Sequence, residues 1–150
     1  NQSRNRGSKP DLKNQPEYRF LEKNALTITK ENYNEYLKKL KEYSRKIRPS
    51  NNNSKGVSTS QIRNVFGEVK KIQEKAAKNS NGDDQVFPLQ KLRTRFAYIY
   101  GRNKNNNELT NLMDLLDKLA DKVKTNEQVV RFYELIEGIV CYLKYYGDKN

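Results

Sequence analysis

From residue 31 onward, apolar side chains recur every three or four positions, the spacing that lines one face of an α-helix. The first such stripe is Tyr33, Tyr36, Leu37, Leu40, Tyr43 and Ile47, predicting a helix over 31–47. Pro49 and the run Asn51-Asn52-Asn53-Ser54-Lys55-Gly56 end it in a loop. Ser58 followed three residues later by Gln61 matches a capping box, so a second helix opens there. Its buried face is Ile62, Val65, Phe66, Val69, Ile72 and Ala76, and the polar run 79–84 turns the chain. Pro88 suits the first position of a third helix and Gly101 its exit. The fourth carries Leu109, Leu112, Met113, Leu116, Leu119, Ala120 and Val123. Thr125 and Gln128 repeat the capping pattern and start a fifth, with Val129, Phe132, Tyr133, Ile136, Ile139, Val140 and Leu143, running to Tyr146 before Gly147. No stretch alternates as a strand does. An all-α fold follows, an antiparallel bundle of about five amphipathic helices over residues 29–150.

Residues 1–28 read differently. They are polar, carry Arg4, Arg6, Lys9, Lys13, Arg19 and Lys23, and show no period. The expectation is a basic, poorly ordered N-terminal tail, serving either as a solubilising segment or as one that orders on a partner.

Composition narrows the function. Thirty lysines and arginines face 18 acids, a formal charge of +12, and mean hydropathy is −1.09. Such a surplus repels itself unless an anion sits against it, and nucleic acid is the commonest such partner. Mixed-sign polar faces and the absence of Trp argue against membrane attachment. With one cysteine no internal disulfide forms, which suits a cytoplasmic protein. Histidine is absent, removing the usual general base and the commonest metal ligand. Asp83-Asp84 reads as a turn, and Asp114 with Asp117 as solvated helix surface instead of an ion site. No cofactor and no catalytic constellation are expected.

The positive charge is aimed. Lys91, Arg95, Tyr98 and Arg102 are spaced four, three and four residues apart and line one face of the third helix. Cations with a tyrosine among them can hold phosphates while the ring stacks on a base. On the second helix Arg63, Gly67, Lys70 and Lys71 share the solvent face. Gly67 either packs against a neighbouring helix, the favoured reading, or lets a sugar-phosphate strand approach. Glu108, Asp114, Asp117 and Asp121 make the fourth helix's exposed surface acidic, so it turns away from a polyanion. Arg93 falls in an apolar arc and either pairs with an acid or snorkels out. Tyr142, Tyr145 and Tyr146 read as half-buried core, and Cys141 as a small core residue.

Three segments, in order, resemble the small-subunit family of the type III-A CRISPR effector, the Csm complex. They are Thr59-Ser60-Gln61-Ile62-Arg63, then Arg95-Phe96-Ala97-Tyr98 with Gly101-Arg102, and Glu137 through Tyr142 followed by Lys144-Tyr145-Tyr146-Gly147. The resemblance spans residues 31–147. Gly138 and Cys141 depart from it, standing where alanine-like residues are expected. It implies a five-helix bundle stacked in several copies along a ribonucleoprotein, beside a guide RNA paired with target RNA and other Csm subunits. Target cleavage belongs to another subunit. Carried over by position, Arg63, Arg95 and Arg102 contact RNA, with Lys70 and Lys144 as secondary contacts.

Two other classes compete. A helical DNA-binding regulator is the alternative, but the loops after the first and second helices are long and polar instead of tight. A metal-dependent nuclease would need its scattered carboxylates to converge.

Overall fold

In a computed structural model the chain is described over residues 11–50, 55–78 and 84–147. The helices are α1 (Pro16–Asn24), α2 (Tyr33–Ile47), α3 (Thr59–Lys78), α4 (Val86–Lys91), α5 (Arg93–Arg102), α6 (Asn107–Lys122) and α7 (Asn126–Tyr145). Short 3₁₀ turns cover Leu12–Asn14 and Ala25–Thr27, and there is no strand among the described residues. The all-α expectation holds.

Side-chain pairs give each helix its direction. Glu17 reaches Lys46 at 2.6 Å and Tyr18 meets Tyr43, so α1 runs antiparallel to α2. Phe66 stacks on Tyr133, and Gln85, just beyond α3, donates its N–H to Asn126 at the start of α7. Arg93 reaches Asp117 and Asp121, which makes α5 and α6 an antiparallel pair. Successive rods therefore alternate up and down, α4 and α5 together forming one broken rod. The break is at Leu92, whose N–H bonds to Leu89 O in a tightened turn. The third helix is thus two, and its ends differ from expectation: Pro88 is third in α4, and α5 runs through Gly101 to Asn103.

The core is the convergence of the stripes read from the sequence. Leu40, Tyr43, Val65, Phe96, Leu112, Leu116, Phe132 and Ile139 are all buried. At the α2–α7 crossing, a Cβ on residue 138 would collide with the Leu40 side chain, so Gly138 allows the close approach. Gly56 has φ +66, and a Cβ there would overlap the Pro49 backbone. The turn it makes is tied down from outside. Val57 N–H bonds to Ile47 O, and the buried Asn106 donates Nδ2 to Gly56 O while its Oδ1 caps α6 at Leu109 N–H.

The expected tail boundary at residue 28 is corrected. Residues 1–10, with Arg4, Arg6 and Lys9, lie outside the described residues. From residue 11 the chain is docked: Pro16 opens α1 at a position that needs no N–H donor. Tyr18, Leu21, Ala25 and Leu26 are buried against α2, α6 and α7. Lys13 pairs with Asp114 at 2.7 Å. Burial of these few apolar groups offsets the ordering entropy that the polar composition suggested would prevail.

Candidate nucleic-acid interface

The rod α4–α5 presents one exposed line. Phe87 is 65% exposed and Tyr98 59%; Lys91 and Arg102 are exposed as well. Each cation leans on the ring one turn before it. Lys91 Nζ is 5.2 Å from the Phe87 centroid, and the Arg102 guanidinium is 5.7 Å from that of Tyr98. Arg102 Nη1 also donates to Tyr98 Oη at 3.0 Å. Among the described residues neither cation has an acidic partner.

Arg95 belongs to the same face but is half-buried, with Nη1 2.7 Å from Glu68 Oε2 of α3. That ion pair joins α5 to α3. It also means Arg95 reaches a phosphate only by sharing or leaving Glu68. Glu68 Oε1 is buried and has no hydrogen-bond partner, so the carboxylate has unused accepting capacity.

On α3 Arg63, Lys70 and Lys71 are all exposed and divide between two flanks of the solvent face. At about 100° per residue, Arg63 and Lys70 lie roughly 140–160° around the helix from Glu68. They share the flank of Phe66, whose ring faces α7. Lys71 and Lys75, both exposed, fall within about 60° of Glu68 on the α5 side. Sequence reasoning did not single out Lys75 or Phe87. Phe87 lies about 160° around α4 from the buried Leu89, which leaves its ring outside. Gly67 faces open space, with nothing within 4 Å of an added Cβ. The close-packing reading of this glycine is therefore corrected.

Arg63, Arg102 and Lys144 lie at one end of the bundle, where α3 opens and α5 and α7 close. All three are exposed. At that end Lys41 lies over Tyr145 at 5.0 Å and Arg48 over Tyr146 at 5.4 Å. Tyr145 is 65% exposed, so the C-terminal tyrosines are only partly the core expected. Cys141 is exposed, correcting its assignment to the core; it borders a groove between α2 and α7 with Tyr33, Leu37 and Tyr142.

Arg93 takes the acid-pairing alternative. Its Nε and Nη2 grip Asp117 at 2.7 and 3.3 Å, and Nη1 reaches Asp121 at 3.0 Å and Gln90 at 3.2 Å. The hydrogen bond to Asp117 raises its pKa further above the ordinary arginine value. The acids of α6 are thus largely engaged inside the molecule, not a free acidic surface. Asp117 and Asp121 hold Arg93, Asp114 holds Lys13, and Glu108 is buried. Among the described residues no three acidic or cysteine side chains gather as a metal site, and no helix is long and apolar enough to cross a membrane.

The family model described as Csm2 Type III-A matches residues 34–149. A curated relative from Streptococcus thermophilus, "CRISPR system Cms protein Csm2", is 29% identical over 94 residues, covering 63% of this chain and 76% of the relative. The family model's match excludes α1 and takes in α3 and α5 together with the α7 terminus. The chain belongs to the Csm2 family, the small subunit of the type III-A CRISPR effector.

Proposed function

We propose that this protein is a non-catalytic RNA-binding subunit of its effector complex, holding the backbone of guide and target RNA and stacking in copies along the ribonucleoprotein. The observation that carries this is the exposed row Lys91, Tyr98 and Arg102 along the α4–α5 rod, free of acidic partners among the described residues, while Arg93 of the same rod is fully engaged. Cations without acid partners supply counterion release when a phosphodiester docks. Nothing in the row matches a base-reading module, so sequence is read by guide–target pairing and this chain contributes charge and shape. Arg63, Lys70 and Lys144 extend the positive surface around the same bundle. The subunit works with other Csm subunits in the cytoplasm.

Replacing Arg63, Arg95 and Arg102 together by alanine tests the reading. Helicity is expected to persist, and the slope of log affinity against log salt for single-stranded RNA to flatten by about 2. A variant that binds RNA and assembles like the parent removes the mechanism. Protection of one duplex DNA sequence in a footprint would instead support a DNA-binding regulator.

A further inference from the structure

We infer that the outer edge of α4–α5 is a stacking platform for unpaired RNA bases, with Phe87 and Tyr98 as the platform rings and Lys91 and Arg102 as their phosphate clamps. This rests on the RNA-binding reading and sharpens it by naming the form of RNA that this face takes.

At about 100° per residue, and treating the Leu92 turn as nearly helical, the five side chains occupy a strip about 80° wide. Phe87 and Tyr98 lie on one margin, Lys91 and Arg102 in the middle, and Arg95 on the margin where it meets Glu68 of α3. Rings are therefore on the outside and cations on the side toward Lys71 and Lys75. A strand running along the cation line would place its phosphates between α5 and α3 and turn its bases outward onto the rings.

Both rings are more than half exposed, and each face is flanked by a cation within 6 Å. Phe87 has no polar atom, so its exposure serves no hydrogen bond with water. A phenyl group there, under a lysine, offers a π-face and a charge together, the combination that holds a nucleotide without regard to sequence. The rings are 11 residues apart, about 16 Å along the axis. That spacing far exceeds one stacked base step, so the two rings take separate, non-adjacent nucleotides. Bases inside an A-form duplex have no free faces, so the rings discriminate for unpaired or everted nucleotides while the cations do not.

The test uses the full chain with two probes of equal phosphate number, an oligoadenylate and an A-form RNA duplex. The variant Phe87→Leu/Tyr98→Leu keeps apolar bulk and removes both rings; the exposed positions leave helicity unchanged by circular dichroism. Expected is a loss of about tenfold or more on the single strand, with the duplex within about twofold and the salt slope unaltered. In a Phe87→Trp variant, fluorescence is quenched by the single strand and not by the duplex. Equal losses on both probes, or no loss on either, overturn the stacking platform while leaving the backbone-binding reading in place. If the parent binds neither probe, that reading falls and the platform with it.

Discussion

Two tyrosine–cation contacts in this molecule look alike and do opposite things. Lys118 Nζ lies 5.3 Å from the Tyr18 ring, and the Arg102 guanidinium lies 5.7 Å from the Tyr98 ring. Tyr18 is 1% exposed and Tyr98 59%. Around Tyr18 the neighbouring charges are paired, Lys13 with Asp114 and Glu17 with Lys46, so that contact seals α1 to the bundle. Around Tyr98 no acid among the described residues meets Arg102, and the contact stands at the surface. Local chemistry is the same; burial and the neighbouring helix decide whether a basic, tyrosine-bearing segment is structure or binding surface.

The sharpest way to break this contrast is to truncate each ring. Tyr18→Ala removes a fully buried aromatic and is expected to cost about 3–5 kcal/mol, whereas Tyr98→Ala costs less than about 0.5 kcal/mol. Urea midpoints measured side by side decide it, and equal shifts would mean α1 is not docked. Alkaline pH probes the same burial. The Tyr18 pKa is pushed up to about 12, first by burial and then by the Glu22 carboxylate. Its neutral form therefore stabilises the fold fully below pH 10, and that stabilisation, up to about 3 kcal/mol, is lost as pH rises toward 12. A Tyr18→Phe variant is expected to show a shallower alkaline decline in thermal midpoint than the parent.

Arg93 and Arg102 extend the comparison within one helix. Arg93→Ala leaves Asp117 and Asp121 without their guanidinium and is expected to lower stability by about 1–2 kcal/mol while RNA affinity changes little. Arg102→Ala is expected to do the reverse. Parallel calorimetry and RNA titration separate the two, and a shared profile would erase the distinction between inward and outward cations. The smallest effect is a gain. Because a Cβ at position 67 meets open space, Gly67→Ala is expected to stabilise by about 0.5–1 kcal/mol, with an unchanged fold by circular dichroism. Destabilisation would restore the close-packing role.

The long helices were legible because their stripes hold over many turns. Leu109 through Val123 and Val129 through Leu143 could pack in only one way, and each of these residues named in the stripes is buried or nearly so. Segment 11–28 was not legible, since four buried apolar side chains among many polar ones do not outweigh composition in a sequence window. Of the candidate site, Lys91, Tyr98 and Arg102 could be placed together from spacing alone. Spacing within one helix says nothing about what stands opposite, so Glu68 beside Arg95 and the choice of Asp117 and Asp121 as the acids that take Arg93 were invisible.

By itself the sequence determined an all-helical bundle, a surplus of positive charge and a row of cations at helical spacing, because period and composition are properties of the chain. Only the tertiary structure decided which cations are neutralised, which aromatics remain outside and where the tail ends. Ion pairs and burial depend on groups brought together from distant positions, and they act over a few ångströms that no linear spacing records.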